Sequence, residues 1–167
     1  MLLERSESIA FWAWRVALEF KEKLSHKAAD MDLTAPEAFT LTGLHFENGL
    51  PLAELSKRMH HSHTSVLRHV DSLESRGLVI REPHPEDRRI KLLQLTKKSR
   101  SMMPDLLAMM HEVYEESVKD IPSEELHHSI GVLKQVITNL GGDVEVCEGA
   151  GCMEKDKTRS SFDRDES

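Results

Sequence analysis

The run His60-His61-Ser62-His63-Thr64-Ser65, followed by Arg68 and His69, gathers short hydroxyls, imidazoles and one long cation into a few helical turns. These are groups that hydrogen-bond to base edges and phosphates. Arginine can fork onto guanine, and serine or threonine can serve either a base or a phosphate. The imidazoles are also metal-ligand types, but their spacing matches no zinc pattern and no cysteine is close, so a DNA-facing or solvated role is the simpler reading. A second group, Asp87-Arg88-Arg89, follows the run Pro83-His84-Pro85-Glu86. An arginine at a hairpin tip can enter a narrow minor groove, where negative potential is concentrated. Asp87 cannot itself favour a polyanion, and its expected work is to orient one arginine through a paired hydrogen bond. The third group is Cys147-Glu148-Gly149-Ala150-Gly151-Cys152. A redox switch or metal clip is conceivable there. Free thiols are the simpler reading, because no basic neighbour lowers a thiol pKa. There is no Gly-rich phosphate loop, no nucleophile elbow and no His-Glu-x-x-His motif, so an enzyme is not expected.

Charge is distributed in a way that suits the first two groups. The chain carries a net charge of -7 over 167 residues. Residues 57–100 nevertheless hold eleven Lys/Arg and five Asp/Glu, about +6, which leaves about -13 for the rest. Phosphate binding needs a local basic face, not a basic protein.

The elements that must hold these groups follow from periodicity and punctuation. Residues 6–29 read as a helix with the stripe Ile9, Trp12, Val16, Phe20 and Leu24. A second helix opens at the capping box Thr34-Ala35-Pro36-Glu37 and stops at Asn48-Gly49. Leu52, Leu55 and Met59 mark a short third helix, and His60-His61 a turn. Ser62 caps a fourth helix that runs to Arg76, with Val66, Val70 and Leu73 inward and Gly77 as its stop. Residues 78–82 and 89–95 read as two strands of a hairpin, with the prolines between them unable to extend the ladder. Thr96 caps a long helix to about Lys119, which Pro104 should kink or start late. The last helix opens at Ile121-Pro122-Ser123 and closes at Gly141-Gly142, with Leu126, Ile130, Leu133, Ile137 and Leu140 along one face. Residues 143–167 are polar and acidic, and a disordered tail is expected there. The fold class is mainly α with a small two-stranded β-wing, a winged helix-turn-helix. Its second motif helix enters the major groove.

The runs Leu73-Glu74-Ser75-Arg76-Gly77-Leu78-Val79-Ile80-Arg81, Pro85-Glu86-Asp87-Arg88-Arg89 and Leu93-Gln94-Leu95-Thr96 resemble the MarR family of bacterial and archaeal regulators. The element order extends the resemblance over about residues 6–140. It implies a homodimer joined by its N- and C-terminal helices and bound to a palindromic operator, usually as a repressor. It also implies release by a small, often aromatic or anionic, effector lodged between dimerisation and DNA-binding parts. Asp87, Arg88 and Arg89 inherit the wing role, and the helix from Ser62 the recognition role.

The expected organisation is therefore a domain over 6–142, with residues 30–95 binding DNA and residues 6–29 and 96–142 dimerising. The last helix is apolar along its length and needs a partner to cover it. The DNA contacts are assigned to Ser62, His63, Thr64, Ser65, Arg68, His69, Arg88 and Arg89, with Asp87 in support. An effector pocket is assigned to Phe11, Arg15, Phe39 and His45, although Phe11, Trp12, Phe39 and the methionines also fit a plain core, and Arg15 an ion pair with Glu19. His45 and His111 could meet with Glu112 or Glu115, as zinc sensing in some family members would need; their positions do not align with those ligands. No cofactor is expected. The alternatives are a metal- or redox-sensing regulator, or a winged-helix protein-interaction module without DNA binding. With no signal peptide, no apolar run of spanning length and few cysteines, a cytoplasmic protein is expected.

Overall fold

Four helices start at a hydroxyl, because the first turn of a helix leaves its N–H groups without partners. In the computed structural model, which describes residues 7–47 and 49–144, Ser8 Oγ accepts from the Phe11 amide at 3.3 Å and opens α1 (Ile9–Ala29). Thr34 opens α2 (Ala35–Phe46) with both arms of its capping box in place. Ser62 opens α4 (His63–Ser75) and Thr96 opens α5 (Lys97–Ser117), each accepting from the amide three residues on at 3.2 Å. Such a cap is worth about 0.5–2 kcal/mol. The remaining helices, α3 (Leu52–Arg58) and α6 (Ser123–Asn139), each follow a proline instead. α5 begins where its cap predicts, so Pro104 does not mark a late start; it lies inside the helix.

The hairpin is formed by β2 (Val79–Pro83) and β3 (Lys91–Leu95), in antiparallel register from Val79 opposite Leu95 to Pro83 opposite Lys91. It is joined by a strand that the periodicity does not reveal. β1 (Leu50–Pro51) pairs with β3, Leu50 opposite Leu93, and the sheet order is β1-β3-β2. Gly49, at φ +83°, turns the chain into β1 and donates its N–H to the Leu93 carbonyl at 3.2 Å. The ladder also reaches Pro83, one residue beyond the expected end. β2 is an edge strand, where a missing donor is tolerated.

One core joins all of this. Leu41 and Leu44 of α2, Leu55 of α3, Val66, Val70 and Leu73 of α4, Val79, Leu93 and Leu95 of the sheet, and Met103 and Leu106 of α5 are buried together. A smaller cluster of Leu24, Ala35 and Val113, with Phe20 packed on it, ties α1 to α2 and α5. The same seam carries charge on its outside, where Lys27 meets Glu112 at 2.7 Å and Lys23 meets Glu116 at 2.6 Å.

The stripes of α1 and α6 are only partly used. Leu24 and Ala28 are buried, but Trp12 is 53% and Val16 66% exposed. No residue of α6 is buried, and Ile130, Leu133, Ile137 and Leu140 face outward. The expected tail lies outside the described residues from residue 145 on, and Cys147 and Cys152 with it.

Helix α4 depends on the central core for its position. Leu73 is fully buried. Leu73→Ala should cost about 2–5 kcal/mol in a denaturant titration, through lost transfer energy and the cavity left behind.

Candidate nucleic-acid interface

The turn between α3 and α4 is shaped by the residues that sequence singles out. His60 takes the left-handed conformation at φ +49°, a region that histidine enters more readily than most residues. The His61 amide donates to the Ser56 carbonyl at 3.1 Å, which closes the turn. Ser62 then caps α4, and its hydroxyl also donates to Ser65 Oγ at 2.9 Å. The two serines thus engage each other at the helix start. His63, Thr64 and Arg68 are exposed, and among the described residues their side chains make no hydrogen bond or ion pair. Thr64 and Arg68, four residues apart, share a face. His69 is placed differently. It is half-buried near Glu37, and its pKa is lowered: burial lowers it most, the Glu37 charge opposes this, and His61, Arg68 and Lys21 lower it further. It stands as a neutral imidazole at neutral pH, on the flank of α4 that turns toward α2.

The second half of α4 is bolted down by a buried carboxylate. Glu37, only 5% exposed, accepts from the Thr34 amide at 2.9 Å, from the Thr34 hydroxyl at 2.9 Å and from the Ser72 hydroxyl at 2.6 Å. Arg76 approaches it at 3.5 Å, and the same guanidinium reaches the Asp32 carboxylate at 3.1 Å and the Asp32 carbonyl. Burial pushes the Glu37 pKa up, but the bonds from Ser72 and Thr34 and the Arg76 charge outweigh it, and the net shift is downward. The sequence reading sees Glu37 only as a capping residue. Its second role is out of reach of local patterning, because Ser72 and Arg76 lie 35 and 39 residues away.

The wing is tied to α4 in a similar way. Arg81 of β2 bridges Asp71 at 2.6 Å and also Glu74, both on α4. Arg58 pairs with Glu47 and Glu54. The basic surplus of residues 57–100 is therefore not all available to a ligand: Arg58, Arg76 and Arg81 are taken up internally. Among the described residues, Arg68, Arg88 and Arg89 have no acidic partner and are exposed.

The wing tip is a compact set of turns. The His84 amide donates to the Ile90 carbonyl at 2.9 Å, and the Ile90 amide to the Asp87 carbonyl at 3.0 Å. His84 Nδ1 accepts from the Glu86 amide at 3.2 Å and the Asp87 amide at 3.4 Å. Asp87 Oδ1 accepts from the Arg89 backbone amide at 2.9 Å. The bond expected between Asp87 and an arginine side chain thus goes to the backbone, and Asp87 orients Arg89 by fixing its main chain.

The four residues assigned to an effector pocket are not linked to one another by any hydrogen bond, ion pair or ring contact. Phe11 meets Trp12 edge-on and Trp14 at a tilt, Arg15 bridges Glu19, and His45 meets Phe46 edge-on. Phe39 is 38% exposed on α2. Arg15 lines an open groove along α1 with Leu18, Lys21, Ser25 and His26. His111 lies 3.8 Å from Glu115, and among the described residues no three His, Cys, Asp or Glu side chains converge as a metal site would require. No helix among them is long and apolar enough to cross a membrane.

Residues 33–91, from the start of α2 to the start of β3, match the MarR family. The fold is shared more widely. A MarR-family transcriptional regulator from Rhodococcus sp. RHA1 is 22% identical, with 81% of this chain and 96% of that one covered at a TM-score of 0.72. CouR from Rhodococcus jostii RHA1 bound to p-coumaroyl-CoA is 23% identical, with coverage of 81% and 95% and a TM-score of 0.72. A mutant MarR from E. coli complexed with operator DNA is 22% identical, with coverage of 82% and 99% and a TM-score of 0.74.

Glu37 sets a pH dependence. A carboxylate whose folded pKa lies below its unfolded value stabilises the fold above the unfolded pKa, and that contribution is lost as pH falls through the folded one. Glu37→Gln should cost about 1–3 kcal/mol at neutral pH, and the gap to wild type should close as pH falls below about 4.5. Denaturant titrations at a series of pH values check this; a gap that stays constant would contradict it.

Proposed function

We propose that this chain, whose residues 33–91 match the MarR family, is a homodimeric transcriptional repressor that binds a palindromic operator and is released by a small effector. The observation that carries the DNA-binding part is the division of arginines. Arg58, Arg76 and Arg81 are consumed by internal carboxylates, whereas Arg68 on α4 and Arg88 and Arg89 on the wing stay exposed without acidic partners among the described residues. Left unpaired on one helix and one hairpin tip, they suit a phosphate-lined groove and its neighbour.

In this reading α4 lies in the major groove. His63, Thr64 and Arg68 reach base edges or phosphates, Ser62 and Ser65 present the helix N-terminus, and His69 supports the helix from its inner flank. Arg88 and Arg89 enter the adjacent minor groove, with Asp87 holding the turn. Residues 30–95 form the reading head. Residues 6–29 and 96–142 form the dimerisation part, because the uncovered apolar faces of α1 and α6 suit a second copy of the chain. Twofold symmetry then sets two α4 helices about one DNA turn, roughly 34 Å, apart. The effector is a small aromatic or anionic molecule held near Phe11, Arg15, Phe39 and His45. The aromatic cluster of Phe11, Trp12 and Trp14 supports an aromatic ligand.

Two measurements test this. Binding of a duplex selected in vitro from random sequence should weaken with salt, and the Arg88→Ala/Arg89→Ala variant should weaken it further and lower the salt slope by about 2 if both arginines neutralise phosphates. Unchanged affinity and slope would remove the wing from the interface, and failure to select any duplex would favour a protein-interaction module. Leu133→Asp/Ile137→Asp, which puts charge on the exposed face of α6, should turn a dimer into a monomer in analytical ultracentrifugation. A wild type that already sediments as a monomer would refute the dimer.

A further inference from the structure

Between Glu82 and Lys91 every residue is exposed except His84, which is half-buried within the wing tip. Pro83 and Pro85 flank it, and a residue that precedes proline is confined to extended backbone. His84 is thus held in one backbone conformation with its ring over the turn that follows. Its Nδ1 accepts from the Glu86 and Asp87 amides at 3.2 and 3.4 Å, as an asparagine or aspartate side-chain oxygen does in an Asx turn. A ring nitrogen that accepts carries no proton, so the neutral ring bears its hydrogen on Nε2. A doubly protonated imidazole has two donors and no acceptor. Such a ring would turn an N–H toward two N–H groups, and those bonds would be lost.

We propose that His84 is the positioning residue for the wing arginines, and that only its neutral imidazole does this work. The link to the arginines runs through Asp87. The Asp87 amide is held by the ring, the Asp87 carboxylate holds the Arg89 amide, and the Asp87 carbonyl holds Ile90, whose own carbonyl returns to the His84 amide. Freed from His84, Glu86 and Asp87 lose the contact that fixes their orientation, and Arg88 and Arg89 are presented from a looser turn. The charged residues of the same turn are Glu86, Asp87, Arg88 and Arg89, and Lys91 stands opposite Pro83 on the paired strand. Glu82 is engaged by Gln94 at 2.8 Å. Protonation of the ring removes its acceptor nitrogen, so the wing's contribution should fall when the ring is charged. The inference rests on the wing touching DNA, as proposed above, but its first test does not.

In the free protein, the backbone amide resonances of Glu86 and Asp87 should follow the titration of the His84 ring in NMR spectra, and in His84→Asn they should not. Amides that stay still while the ring titrates overturn the proposal. The second test uses the in-vitro-selected duplex and the affinity ratio between each protein and its Arg88→Ala/Arg89→Ala counterpart, which cancels the effect of other histidines on DNA binding. In wild type the ratio should be at least about threefold smaller at a pH where the NMR titration shows the ring charged than at pH 8. His84→Asn, which still accepts through Oδ1, should keep the ratio within about twofold of wild type at pH 8 and lose its pH dependence. His84→Ala should lower the ratio at both pH values. A full ratio in His84→Ala, or the same pH dependence in His84→Asn, overturns it. If no duplex is selected, the DNA-binding reading fails and the NMR titration alone decides the role of His84.

Discussion

A carboxylate removed from water must be met by donors on every side, or its burial is costly. Glu37 meets that demand with groups from three places: Thr34 at the start of its own helix, Ser72 on α4 and Arg76 at the end of α4. Satisfying one side chain therefore fixes where α2 begins, how α4 lies against it and where the turn at Asp32 sits. Apolar contacts from Val66, Val70 and Leu73 supply the bulk of the packing, but they are non-directional and tolerate sliding. The hydrogen bonds at Glu37 do not, and they remove that freedom from the helix whose orientation matters most.

The same economy governs the other charges. A basic segment could scatter its arginines over the surface or spend them on internal geometry. Here Arg76 and Arg81 are spent. Arg76 locks α4 to the α1–α2 turn, and Arg81 locks β2 to α4 through Asp71 and Glu74. Hairpin and helix thus form one unit, so the exposed arginines of the wing keep a fixed relation to Arg68. Net charge over residues 57–100 overstates what a ligand could meet, because Arg58 and Arg76 are paired with carboxylates outside that segment.

Much of this is legible in local sequence. Capping residues Thr34, Ser62 and Thr96 mark helix starts, because a cap is a short-range bond between neighbours. Gly77, at φ +68°, ends α4 for an equally local reason. The features that escape are those formed between distant segments. β1 is two residues long and has no period to detect; it exists because Leu50 finds Leu93. Asp87 bonds to a backbone amide and not to a guanidinium, a choice set by turn geometry. His69 is polar and lies near the start of α4, which suggests the DNA face, yet its angular position beside Val70 turns it toward Glu37.

The connectivity constrains how a change outside the winged helix could reach it. α1 is fastened to α5 by Leu24 against Val113 and by Lys23 and Lys27 against Glu112 and Glu116. Just past its C-terminal end, Asp32 is fastened to Arg76 and so to α4. A rotation of α1 relative to α2 must therefore either drag the end of α4 or break bonds at Arg76. Those bonds share a guanidinium with Glu37, so breaking them weakens a buried carboxylate's support as well. Helix α4 and the wing that Arg81 attaches to it are thus linked to the end of α1 through Asp32. On the proposed reading, an effector bound near α1 needs no contact with the reading head: changing the angle of α1 in each subunit alters the spacing of two α4 helices, and a palindrome with fixed half-sites is sensitive to that spacing.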